Sequence, residues 1–320
     1  MTILVVGGTG TLGTQVVGRL AARGLRVRVL SRDAERCRNL EAANVEILLG
    51  DLRDSRTIER AISGASVVIN ASQAAFRASG GSNPRSVDGD ASDNLIAAAR
   101  SEGVDHFILL SIFDVGPSHP LEVWRLKYRA EQKLKASGLE WTVIRASAFM
   151  EWGVGLVGAP LLHTGKTQIY GRGDNPINFV SAHDVAGFVE LAVIDPDLRS
   201  QLVTVTGPEN LTFREVLHTF QALTGSQGAV SHVPLPIMRV MAQVMRPVKP
   251  GLAREIQAGV FLDTADRTAD GSATRARYSS IPTTTLADMI RRDYLPLTSH
   301  RERAPVAGSN RANEAKSLRT

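Results

Sequence analysis

The chain has 320 residues, of which 43% are hydrophobic and 22% charged, enough for one large α/β unit or two closely merged domains with a real core. Its one cysteine, Cys37, excludes an internal disulfide framework and a cysteine-cluster metal site, and no uncharged apolar run is long enough to span a bilayer. The formal charge of +5 gathers at the end, where residues 299–320 carry Arg301, Arg303, Arg311, Lys316 and Arg319 against Glu302 and Glu314. This tail is polar, sparse in charge and free of aromatics, so a disordered, solvated segment is expected over 298–320 rather than direct nucleic-acid contact. Met1-Thr2-Ile3-Leu4-Val5-Val6-Gly7 has no basic leader and reaches glycine too early for a signal peptide, so the expected compartment is the cytoplasm.

In chain order, Ile3–Val6 reads as a strand, and Leu12, Val16 and Leu20 recur at helical spacing before Gly24 stops the helix. Leu25–Leu30 is the second strand, and Asp33 is expected to cap a helix through Ala43. Val45–Leu49, a helix from Asp54 to Ile62 and Val67–Ile69 follow. A Gly/Ser-rich loop at Ser79–Ser82 leads to a helix through Leu95, Ile96 and Ala99. Then come strand Phe107–Leu110, a helix over Leu121–Ala136 and strand Trp141–Ile144. Strict βα alternation implies α/β architecture with a doubly wound, mostly parallel Rossmann sheet.

After Arg145 the pattern loosens. Asn178–Ser181 reads as a strand, Asp184 as the cap of an apolar helix through Leu191, Leu202–Thr206 as a strand, and Thr212 as the cap of a helix to Leu223. Residues 231–297 mix short helices with prolines. The expected division is a dinucleotide-binding core at 1–150 and a smaller C-terminal subdomain at 151–297 with segments returning to the core. Trp152 and the apolar stretch Val154–Leu162 fit either a substrate pocket or a core connection.

The first chemistry lies between the first strand and helix. Gly7-Gly8-Thr9-Gly10-Thr11-Leu12-Gly13 places glycines at 7, 10 and 13. Small residues let the backbone turn tightly and approach a pyrophosphate, while free N–H groups at the helix start face the anion. Arg32 ends the second strand, where a guanidinium pairs with the 2′-phosphate of NADP(H). NADP(H) is therefore the preferred cofactor, and the adjacent Asp33 leaves NAD(H) open. Asp51 and Leu52 after strand three, and Asn70, Ala71 and Ser72 after strand four, complete the expected cofactor edge. Cys37 among Arg32, Arg36 and Arg38 reads as an ordinary helix cysteine. His183-Asp184 reads as a helix start and not as a metal pair.

The glycine spacing resembles the extended and atypical short-chain dehydrogenase/reductases. Further segments look like the NmrA-like branch. They include Asn94-Leu95-Ile96-Ala97-Ala98-Ala99, Lys127-Tyr128-Arg129-Ala130-Glu131, Phe179-Val180-Ser181-Ala182-His183-Asp184 and Thr206-Gly207-Pro208-Glu209-Asn210-Leu211-Thr212. The resemblance covers roughly residues 1–220 and implies a Rossmann fold and a dinucleotide, but no particular reaction. By resemblance, Ser111 and Lys127 stand at the catalytic serine and lysine positions. Val123 then occupies the tyrosine position of Y-x-x-x-K and cannot transfer a proton. Two readings follow. One is an NADPH-dependent reductase of a small organic substrate (a quinone, enone or aryl ether) with Lys127 as base or polarising group. The other is a redox sensor that binds NADP(H) and a regulatory protein partner.

Overall fold

The computed structural model describes residues 1–40, 42–73 and 84–295. The loop expected at 79–82 and the tail expected at 298–320 lie outside the described residues. The first half runs β1 (Thr2–Val6), α1 (Thr11–Ala22), β2 (Arg26–Ser31), β3 (Val45–Leu49), α2 (Ser55–Ile62), β4 (Val67–Asn70), α3 (Ser92–Ser101), β5 (His106–Ile112), α4 (Glu122–Lys135) and β6 (Trp141–Ala146). The second half runs β7 (Ala148–Phe149), α5 (Met150–Val157), α6 (Ala159–Thr164), β8 (Lys166–Tyr170), β9 (Ile177–Val180), α7 (Ala182–Ile194), β10 (Gln201–Val205), β11 (Glu209–Leu211), α8 (Phe213–Thr224), β12 (Ala229–Val233), α9 (Leu235–Met245), α10 (Pro250–Thr264), α11 (Ser272–Arg277) and α12 (Leu286–Asp293). No helix among the described residues is long and apolar enough to cross a membrane.

Seven strands form one parallel sheet in the order β10-β6-β5-β4-β1-β2-β3. Both faces are buried, and the alternation along β1 shows how. Ile3 and Val5 pack with Val16 and Leu20 of α1 and Val185 and Val189 of α7. Leu4 and Val6 pack on the other face with Ile58 of α2, Leu95 of α3 and Leu134 of α4. A third cluster, around Met150, Phe179, Phe213, Phe220 and Met289, belongs to the second half. It includes Val154, Val157 and Leu161, so that apolar stretch is a core connection.

Two local expectations are corrected. The helix expected from Asp33 to Ala43 is a short 3₁₀ segment over Glu35–Leu40. Its two buried side chains, Cys37 and Leu40, stand three residues apart, which a three-residue turn places on one side. Asp184 does not cap α7. Ser181 does, accepting from the His183 N–H, while buried Asp184 accepts from the N–H and hydroxyl of Thr284 at 2.7 and 2.6 Å and ties the C-terminal segment to the helix. Asp54 and Thr212 cap α2 and α8 as expected, Thr212 in a reciprocal capping box with Glu215.

His106 begins β5, at the sheet end away from the glycine turn. Its Nε2 lies 2.9 Å from the Thr142 hydroxyl, which itself donates to the Leu198 carbonyl, so the imidazole is the donor. Burial pushes its pKa from 6.5 down to about 4. As pH falls through that window, the unfolded chain takes up a proton that the folded chain refuses, and stability drops. Urea unfolding midpoints should therefore decline less steeply between these pH values in His106→Gln than in the natural protein. Equal slopes would remove His106 from the acid response.

Candidate functional site

β1 lies between β4 and β2, and the chain leaves β1 for one face of the sheet and β4 for the other. The carboxyl ends of these strands form the switch point at which open parallel sheets hold ligands. The glycine turn sits there. Gly7 adopts φ +82°, and a Cβ on it would lie 2.7 Å from the Ala71 carbonyl, so the turn after β1 rests directly on the end of β4. A Cβ on Gly8 would meet Val29 at 2.7 Å. One on Gly13 would lie 2.1 Å from the Gly7 oxygen, so the first turn of α1 presses against the strand end.

Gly10 differs. Its Cβ would meet only the Gly7 oxygen, at an ordinary 3.4 Å. It is the N-cap of α1 and supplies no side-chain cap. The first-turn N–H groups at Thr11, Leu12 and Gly13 have no acceptor within the helix, as at any helix start. The turn is thus a cradle that a side chain at 10 would fill, with oriented donors at its floor, and this fits a pyrophosphate. Thr9 and Thr11 flank the cradle, while Leu12 is anchored in the core.

Around the end of β2, Arg32 is exposed, and its charge acts on Asp51. Arg36 reaches the Thr9 carbonyl at 3.4 Å, which brings a second guanidinium to the turn. Arg36 is not among the expected cofactor residues, although its spacing of four from Arg32 puts it on the same side of a helical turn. Asp51 accepts from Arg53 at 2.6–3.0 Å, and that hydrogen bond, assisted by the charges of Arg53 and Arg32, holds its carboxyl below the usual range. Asp33 is exposed and accepts from the Glu35 N–H at 2.9 Å. Leu52 is buried with Ile58. Cys37 is buried, its thiol donating to the Asp33 carbonyl.

At the end of β4, buried Asn70 donates to Ser92 at 3.1 Å and accepts from the N–H and hydroxyl of Ser72 at 3.1 and 2.6 Å. Its side chain therefore shapes the loop under Ala71 and Ser72. Lys127 fastens the same loop. Its ammonium donates to the Ser72 carbonyl at 2.8 Å and the Leu110 carbonyl at 3.2 Å, and lies 3.1 Å from the Asp88 carboxylate, with both charged side chains buried. Ser111 is separate from this set. Its hydroxyl donates to Glu131 at 2.5 Å, and Glu131 accepts two further bonds from Arg145, at 2.9 and 2.6 Å. Lys127 and Glu131 are four residues apart, one turn of α4, so one helix face carries two buried ion pairs beneath the carboxyl edge of the sheet. Val123, one turn earlier, packs with Val115 and Trp124.

Beyond β5, sequence reasoning missed a wall built by distant segments. His119 stacks on Trp124 with ring centroids 5.2 Å apart, and Phe261 of α10 meets His119 edge-on at 4.9 Å. The Arg267 guanidinium lies 5.5 Å over Phe113 and 5.6 Å over Phe261 and pairs with Asp114 at 2.8 Å. His119 Nδ1 accepts from the Leu121 N–H, so Nε2 carries the proton, and burial lowers the ring's pKa. No periodicity links residues 113–124 with 261–267, so the sequence carries no signal for this contact.

A family model described as NAD(P)H-binding matches residues 7–196. The chain is 32% identical to an NAD(P)H azoreductase of Xenophilus azovorans, over 70% of this chain and 74% of that protein. It is 27% identical to the photosystem II assembly factor Ycf39 of Trieres chinensis, over 76% of each. Its fold is similar to that of an NADPH-dependent quinone oxidoreductase of Escherichia coli solved with NADPH (TM-score 0.70, 21% identity), covering 91% of this chain and 99% of that one.

The glycines make opposite predictions. Alanine normally stabilises a helix over glycine by about 1 kcal/mol, but Gly13→Ala should cost more than about 3 kcal/mol because its Cβ meets backbone. Gly10→Ala should melt within a few degrees of the natural protein. Thermal unfolding of both checks this, and a stable Gly13→Ala would contradict the packing of α1 on the turn.

Proposed function

Because this chain belongs to the NAD(P)H-binding family, we propose that it is an NADPH-dependent reductase of a flat, conjugated two-electron acceptor of the quinone or enone class. The observation that carries the cofactor half is the open cradle at Gly10, set at the switch point between β1 and β4. In this reading the first-turn N–H groups of α1 hold the pyrophosphate, with Thr9 and Thr11 at its sides. Arg32 and Arg36 take the 2′-phosphate. Asp33 and Asp51, both engaged by neighbours, leave the pocket cationic on balance. Ala71 and Ser72 offer the backbone along which the dinucleotide runs. Bound NADPH supplies a hydride.

The acceptor half rests on what α4 presents. Lys127 spends its donors on Asp88, Ser72 and Leu110. Val123 brings no proton. A substrate that needs a strong protein acid or base, such as an aryl ether, therefore fits poorly. A quinone accepts hydride directly and takes its proton from solvent. The aromatic faces of Trp124, Phe261 and Phe113 suit stacking on a planar ring, and the Arg267 guanidinium beside them suits a quinone oxygen. Lys127 acts as a positioning residue that fixes the ends of β4 and β5, and Ser111 helps hold Glu131 in place. A second reading, a partner-binding sensor, draws support from the same missing tyrosine and from the similarity to an assembly factor.

Cofactor choice is tested by titration. NADPH should bind more tightly than NADH, and Arg32→Ala should weaken NADPH alone by about 1.5–3 kcal/mol. Equal affinities in the natural protein would defeat the assignment of Arg32. The reaction is tested by following NADPH oxidation with quinones, enones and aryl ethers. Quinones should turn over, and the paired change Lys127→Met with Asp88→Asn, which removes both buried charges together, should keep turnover within about tenfold. A loss of about 10²–10⁴ would restore Lys127 as an acid–base group. No turnover with any acceptor, together with partner affinity that differs between NADP⁺ and NADPH, would favour the sensor.

A further inference from the structure

α9 is amphipathic in an unusual way. Met238 and Ala242 are buried, Met238 reaching Gly259 of α10. Beside that face, Ile237, Val240, Met241 and Val244 recur at helical spacing and all stand exposed, Val240 at 60% and Val244 at 58%. Val248, just past the helix, is 71% exposed, and Leu252 at the start of α10 extends the patch. A helix that merely closes a domain carries polar residues on its outer side. Here the outer apolar stripe is as regular as the inner one.

The charges around the stripe are mainly basic. From Val216 to Arg254 the sequence contains no aspartate or glutamate, while Arg239 lies in α9, Arg246 and Lys249 follow it, and Arg254 lies in α10 beside Glu255, the first acidic residue. None of these four is held in an ion pair among the described residues. We propose that this face docks on an anionic lipid surface, the apolar stripe entering the boundary between headgroups and acyl chains while the cations meet lipid phosphates. That combination of a regular apolar stripe and a predominantly basic border is what an interfacial helix requires.

The other occupants fit less well. In a symmetric dimer the same patch meets its copy, so the four cations of one protomer would face those of its partner. The regular part of the stripe is one helix of 11 residues, about 16 Å long, and even with Val248 and Leu252 it is narrow against the roughly 800 Å² per partner of a stable interface. Residues 296–320 carry five basic and two acidic side chains, so the chain's own end is repelled by the border. The proposal is independent of the cofactor site.

Cosedimentation of the full chain with lipid vesicles tests it. The protein should pellet with phosphatidylcholine vesicles containing phosphatidylglycerol, pellet far less with pure phosphatidylcholine, and be released by salt. Val240→Gln with Val244→Gln, and separately Arg246→Gln with Lys249→Gln, should each weaken binding by about tenfold or more. All four side chains are exposed, so far-UV circular dichroism melts should match the natural protein. No vesicle-dependent pelleting, or undiminished binding by both variants, overturns the proposal. So does a dimer in sedimentation velocity that the valine variant dissociates, which would assign the stripe to a second copy.

Discussion

The contact between Gly13 and Gly7 governs the rest of the site. Because neither residue has a Cβ, the first turn of α1 seats against the end of β1, and Gly7 in turn rests on Ala71. A side chain at either position would lift the helix away from the strand end. The N–H groups of that first turn would then no longer converge over the switch point, where β1 and β4 send the chain to opposite faces of the sheet. Three of the four glycines in the turn thus serve packing, and Gly10 serves the space in front of it. Close packing at three positions and open space at the fourth are two consequences of the same missing atoms.

The same edge is braced from below by charge. Lys127 and Asp88 form a buried pair that grips the carbonyls of Ser72 and Leu110, and Glu131 with Arg145 and Ser111 forms a second one turn along α4. Buried pairs of this kind are poor sources of net stability but costly to break singly. Their effect here is to fix the ends of β4, β5 and β6 relative to one another. In the resembling families the helix that carries lysine also carries a tyrosine that transfers a proton. In this chain the tyrosine position is Val123, inside an apolar cluster, and the lysine ammonium is held by Asp88 and the Ser72 and Leu110 carbonyls. The helix braces the carboxyl edge of the sheet, which is compatible with the proposed direct hydride transfer.

Much of this was legible in the residues. Alternating β-branched runs and helical spacing marked all seven strands of the sheet, Leu202–Thr206 included, because both periodicities are local, though not the order in which the strands pair. The glycine turn was legible because its demand is on single residues. The NAD(P)H-binding family and the Rossmann fold agree with those readings. What escaped was tertiary. Nothing near Asp184 announces that Thr284 will claim its carboxylate. Nothing in residues 261–267 announces that Phe261 and Arg267 will close over His119 and Phe113. The helix expected after Asp33 failed for a local reason: with only Cys37 and Leu40 to bury, a 3₁₀ turn satisfies the core and a longer helix would gain nothing.

The central claim is that the turn from Gly7 to Gly13 holds the pyrophosphate of NADPH while Arg32 and Arg36 hold its 2′-phosphate. A crystal structure of the chain grown with NADPH tests this most directly. The account predicts pyrophosphate oxygens within hydrogen-bond distance of the first-turn N–H groups of α1, above Gly10, with the 2′-phosphate between the two guanidiniums. A dinucleotide bound elsewhere, or one whose pyrophosphate stands clear of Gly10, would contradict it.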